Sequence, residues 1–172
     1  NRSDIPEPHL RRAMSMLAHV GIEADHPKSE PLTNALGEIM AATAVNDQFN
    51  PVGFAIGLQE FLVAHAGGSQ AEVDAVASSV QKLAGALQTE AKRLEGLKQE
   101  KAELEERART SSAAAKEHEP RLADLAKDIT LTEDNLRNDN NRLMAEVHAL
   151  ADNGLRRLVA FMTEGVTGTS AE

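Results

Sequence analysis

Apolar residues recur every three and four positions over two long stretches of this chain. From Val73 the series runs through Val76, Val80, Leu83, Leu87, Leu94, Leu97 and Leu104 to Ala108. After Pro120 it resumes at Leu122, Leu125, Ile129, Leu136, Leu143, Val147, Leu150 and Leu158. This spacing lays one apolar seam along each of two helices, the pattern of a coiled coil. At the α-helical rise each arm is about 55 Å long, far more than a compact domain needs. The matched lengths predict an antiparallel hairpin within one chain. A fold centred near residue 115 sets Glu90 opposite Asn140 and Lys101 beside Ile129. Each arm's polar seam residue then meets polar groups on the other, an arrangement that costs stability but fixes register.

The turn of this hairpin is expected at 110–120. That segment lacks large apolar residues and ends in Pro120, which disfavours helix for the residue before it. Ser69 with Glu72 three residues on is a capping box that starts the first arm. Asn153-Gly154 reads as a stop or kink in the second, and residues 165–172 as a disordered tail.

Residues 1–67 read as a small three-helix domain. Asp4 is the expected cap of a first helix that buries Leu10, Met14 and Leu17. Ser29 is the expected cap of a second, with Leu32, Leu36, Ile39 and Met40 inward. Asn50-Pro51 starts a third, where Phe49 before the cap and Phe54 at the fourth helical position have the spacing of a hydrophobic staple. Phe54, Leu58, Phe61 and Leu62 form its buried stripe. Gly53 and Gly57, one turn apart, leave a shallow notch for a neighbouring helix. The fold expected is all-α: this head at 1–67, then the coiled-coil hairpin over 69–164. The hairpin's open end should bring Leu158, Phe161 and Met162 back beside the head and gather the four Phe there.

Composition narrows the function classes. The 172 residues contain no Trp, Tyr or Cys and four Phe, which argues against a large aromatic core and rules out disulfides and thiolate metal sites. A net charge of −9 makes nucleic acid and anionic membrane poor partners. No apolar run is long enough to span a bilayer; the best stretch, 52–66, is short and interrupted by Gln59, Glu60 and His65. The composition fits a cytoplasmic protein and leaves secretion open. A chain that begins at Asn1 rather than Met is expected to be a fragment or a processed product.

Catalytic patterns are lacking. His19, Glu23, Asp25 and His26 have metal-ligand residue types, but one E-x-x-H in a loop is not the paired motif that a di-metal bundle requires. Gly67-Gly68-Ser69 has neither the strand nor the lysine of a phosphate loop. The chain is therefore expected to be no enzyme and to hold no cofactor or metal. The leading expectation is a protein–protein interaction module, a scaffold, adaptor or assembly subunit that binds a protein partner or forms a homodimer. The alternative is a secreted effector or translocator whose hairpin rearranges on contact with a host or membrane. A two-helix seam uses one stripe per helix, so Leu155, Val159 and Met162 exceed its demand. Together with the Gly53/Gly57 notch they are the candidate partner-binding surface.

Overall fold

The computed structural model describes residues 4–164, and every regular element in that range is an α-helix. The expected tail at 165–172 lies outside the described residues. The helices are α1 (Glu7–His19), α2 (Ser29–Thr43), α3 (Pro51–Ala66), α4 (Gln70–Ala108) and α5 (Ser112–Glu164). Two compact units result. One contains the residues up to Val80 together with those from Ala145 onward; the other is Gln81–Met144.

In the first unit α1, α2 and α3 share one core with the last turns of α5. Leu17, Leu32, Leu36, Met40, Phe54, Leu58, Leu62 and Leu158 are all at most 1% exposed. Phe49, Phe61 and Phe161 pack against that cluster, so the four Phe do gather in one place. The helix starts differ from the expected caps. Pro6 and not Asp4 precedes α1, and neither α1 nor α2 has a side-chain cap. Ser29 is already helical and buried; the backbone turn before it closes through His26, whose Nδ1 accepts from Lys28 N–H at 3.0 Å. Met14 turns outward, and Ala13 and His9 take the inner face of α1.

Between α2 and α3 the chain reverses in four residues. Asn46 and Asp47 both adopt positive φ (53° and 63°), and Val45 and Gln48 exchange both backbone hydrogen bonds at 3.0 Å. Asn and Asp tolerate that conformation better than other side-chain-bearing residues. Asn50 then sends its Nδ2 back to the Thr43 carbonyl (3.2 Å), and so ties the two helices instead of capping α3. The staple forms as expected, with Phe49 and Phe54 ring centres 5.6 Å apart.

Residues 150–158 of α5 present two adjoining faces to the core. Leu155 and Leu158 supply the apolar one. Leu150, Gly154 and Arg157, spaced by four and three, supply a polar one. Gln59 of α3 is buried there: its Nε2 donates to the Leu150 carbonyl at 3.1 Å, and its Oε1 accepts from Arg157 Nη1 at 3.0 Å. Gly154 is no helix stop. Helix α5 runs through it, because the absent side chain is what lets α3 approach. A Cβ at that position would lie 2.8 Å from Leu58 Cδ2 and 3.0 Å from Gln59 Nε2.

In the second unit α4 and α5 pack against each other. The turn between them occupies 109–111, and α5 begins at Ser112, earlier than the expected restart near Pro120. Ser111 supplies the reason, since its Oγ accepts from Ala114 N–H at 3.0 Å and starts a helix through Ala113, Ala114 and Ala115. Pro120 lies inside α5 on an exposed face, where the backbone donor it lacks leaves no buried carbonyl unpaired. The expected polar partners are not seen: Asn140 is exposed, and Lys101 pairs with Glu105 of its own helix at 3.6 Å. Two ion pairs cross the arms instead. Arg121 Nε and Nη2 each donate to Glu100 at 2.9 Å, and Lys98 lies 3.4 Å from Glu133.

The Arg121 hydrogen bonds hold the Glu100 carboxyl below the usual carboxylate range and raise the guanidinium in return. A carboxyl depressed in the folded state stabilises it above the unfolded pKa of about 4.3 and loses that contribution as pH falls through the folded value. Arg121→Gln should therefore lower the melting temperature at neutral pH, and the difference from wild type should narrow at about pH 3. Thermal melts at both pH values check this.

Glycine substitutions should have opposite signs in the two units. Gly85 and Gly96 lie in mid-helix, and a Cβ at either would meet nothing within 4 Å, so alanine there should add about 0.5–1 kcal/mol each. Gly154→Ala meets the fully buried Leu58 and should cost about 1–3 kcal/mol despite its better helix propensity. Urea unfolding distinguishes the two cases.

Candidate functional site

The surfaces that looked surplus in the sequence are largely used within the first unit. Gly53 and Gly57 form the expected notch, and α2 fills it. A Cβ at Gly57 would lie 3.0 Å from Thr43 Cγ2 and 3.2 Å from Ile39 Cγ2; one at Gly53 would lie 3.2 Å from Thr43 Cβ. Leu155 is buried in the core at 6% exposure. Val159 and Met162 are half-buried against the same core. These five residues therefore serve the head's own packing first, and what Val159 and Met162 leave open is the outer part of their side chains.

The larger feature is a groove of about 730 Å³ between α1 and α5. Its two walls follow helical spacing. Pro8, Arg11, Arg12, Ser15, Met16 and His19 line one side, on successive turns of α1; His148, Ala151, Asp152 and Leu155 line the other. Phe54 forms part of the floor. The groove thus joins an apolar base to a polar rim.

Local chemistry fixes the rim. Arg12 stacks on Phe49, its guanidinium carbon 4.2 Å from the ring centre. That contact extends the Phe49–Phe54 staple outward and anchors the cation over aromatic surface. Arg11 and Glu7 form an exposed pair one turn apart at 3.6 Å. On the opposite wall Asp152 accepts from Arg156 at 3.0 Å. The α1 wall is therefore basic, and the α5 wall carries a carboxylate already paired on its outer side.

A smaller cavity of about 290 Å³ borders Gln59, Ser69 and Arg157. Ser69 caps α4 by accepting from Glu72 N–H at 3.2 Å, as the capping box implied. The Arg157 Nε here is buried without a partner while Nη1 bonds Gln59. His65 stacks on Phe61 (ring centres 4.3 Å apart) at the end of α3. Among the described residues no group of His, Asp or Glu is placed to hold a metal ion. No helix among them is long and apolar enough to cross a membrane.

Neither a family model, nor a curated protein, nor a solved structure matches this chain.

Two features of the site escape a reading by residue pattern. Gln59 looks like a mere interruption of an apolar stripe, although a single amide flanked by Leu58 and Leu62 signals a buried hydrogen bond. The adjacent Arg11-Arg12 on a short helix, in a chain of net charge −9, is the signal for the basic wall. Its opposite wall comes from residues more than a hundred positions away, so the groove has no local signature.

Phe54 supports both the core and the groove floor, whereas Phe61, expected in the buried stripe of α3, is only partly buried. Phe54→Ala should cost about 3–5 kcal/mol, and Phe61→Ala clearly less. Equal losses in urea unfolding would contradict this assignment of the core.

Proposed function

We propose that this chain is a non-enzymatic protein-interaction module, a scaffold, adaptor or assembly subunit, and that it docks its partner in the α1–α5 groove. The observation that carries this reading is the groove itself: two helical walls with side chains on successive turns, an apolar floor and a charged rim. A helix of another protein completes such a site by packing ridges into the groove, as helices do inside domains. The acidic charge of the chain favours a protein over nucleic acid as the occupant. We also read the two-helix unit as an antiparallel coiled coil. Less exposed residues there recur by three and four, at Leu83, Leu87, Glu90, Leu94, Leu97, Lys101 and Leu104 on α4, the spacing such a seam uses.

A photo-crosslinking residue at Ser15, exposed on the groove wall, tests the docking site in cells of the source organism. The expected result is one discrete protein adduct, with no such adduct from the same probe at exposed Ala91 of the two-helix unit. The mass of the adduct separates a second copy of the chain from another protein. Absence of any protein adduct at Ser15 removes the basis of the proposal.

A further inference from the structure

The charge arrangement in the groove carries the reading one step further, to the chemistry of the partner. We infer that the groove takes an amphipathic helix with an acidic flank, laid so that its acidic side meets Arg11 and Arg12 of α1 and its apolar side meets the half-buried Met16 and Ala151. This rests on the groove being a protein-docking site.

Three observations support the assignment. The first is length. From Pro8 to His19 the α1 wall spans about 16 Å, three turns of helix, and it contributes a lining residue on each turn. A ligand that follows such a wall for its full length is itself extended and regular, and a helix meets side chains at the same pitch.

The second observation is charge. Arg11 and Arg12 stand side by side on one wall, with His19 beyond them, in a chain whose net charge is −9. At physiological salt, charges farther than about 8 Å are largely screened, so a docked side chain responds to these near cations more than to the distant acidic surface. The carboxylate on the other wall, Asp152, is engaged by Arg156. An incoming acid is therefore directed toward α1. Arg11 is the more available of the two cations, since its partner Glu7 is an exposed neighbour at 3.6 Å, a weak contact that a better-placed carboxylate displaces.

The third is preorganisation. Arg12 is held over Phe49, and Phe49 against Phe54, so one cation of the wall is fixed by an aromatic pair whose inner ring borders the groove. Less side-chain freedom then remains to be lost on binding.

The test uses the full chain and three labelled synthetic peptides. Each is a four-turn helix with the same Leu/Met face, and one flank carries Glu, Gln or Lys. Fluorescence anisotropy should give the Glu peptide an affinity about tenfold above the other two, falling about tenfold between roughly 0.05 and 0.5 M salt. Ser15→Trp, which fills the groove from an exposed position, should abolish binding while the circular dichroism melt stays unchanged. Arg11→Glu should reverse the preference toward the Lys peptide. Equal binding of all three peptides, lost in Ser15→Trp, overturns the acidic-partner inference and leaves the groove a docking site. Binding of none overturns the inference as well, and the Ser15 crosslink then decides the docking reading by itself. A groove-dependent dimer in sedimentation, lost in Ser15→Trp, replaces the acidic helix with a second copy and also overturns it.

Discussion

The head depends on how closely α3 passes α5 at Gly154. A Cβ there would occupy the space of Leu58 and of the Gln59 amide. With hydrogen in its place, Gln59 reaches across to the Leu150 carbonyl one turn earlier and accepts from Arg157 nearly one turn later. Burying a primary amide costs several kcal/mol when its hydrogen bonds are unmade. Here both ends are engaged, so the amide sets the longitudinal register of the two helices where Leu packing alone would tolerate a slide. The apolar face beside it, through Leu155 and Leu158, then meets Leu58, Leu62 and Phe54 without further adjustment. Small three-helix assemblies bury little surface for their length. The end of α5 supplies the fourth element that closes this core.

That dependence explains which parts of the structure were legible in the sequence. The all-helical class, the five helices in outline, the Phe49–Phe54 staple, the Ser69–Glu72 cap and the return of Leu158 and Phe161 to the head all follow from spacing and end signals. These are local or periodic rules, and the chain obeys them. Gly154 misleads for a physical reason. Glycine signals a helix end when nothing else accounts for it, but a close helix crossing needs the same residue, and only the partner helix tells the two apart. Pro120 misleads in the same way. A helix continues through proline where the neighbouring face is solvated, and the three alanines after Ser111 had already started α5 upstream. The expected caps at Asp4 and Ser29 failed because proline and a tight backbone turn enter those helices without a side-chain acceptor. The groove was the least legible feature, since its walls come from opposite ends of the chain.

Within the two-helix unit, stability and specificity come from different residues. Leu104, Leu125 and Leu143 are the well-buried apolar positions, and they supply the hydrophobic contribution. Polar residues interrupt the series. Thr132 is 1% exposed in the middle of α5, and Lys101 and Glu90 stand at half-buried positions of α4. Such residues weaken a seam yet penalise slippage, since a shifted register would bury them against leucine. The bidentate Glu100–Arg121 pair acts in the same sense at the surface. Its net energy is small, but its two parallel bonds fit only one offset between the arms.

Aromatic residues link the packing of the head to its groove. With only four Phe and no other large aromatic, the chain has little to spend on surfaces, yet Phe49 is half-buried under Arg12 and Phe54 floors an open groove. Phe54 itself is turned inward at 1% exposure, whereas the outer ring, Phe49, is covered by an arginine and not by a leucine. Covering Phe49 with an arginine keeps that ring hydrated at its rim while the cation remains exposed. The staple that starts α3 thereby also orders one side of the groove. The start of α3 and the placement of Arg12 share the same two rings, so a substitution at Phe49 that preserves the helix start but removes the ring face would separate them: a leucine there keeps the apolar contact to Phe54 and loses the platform for Arg12.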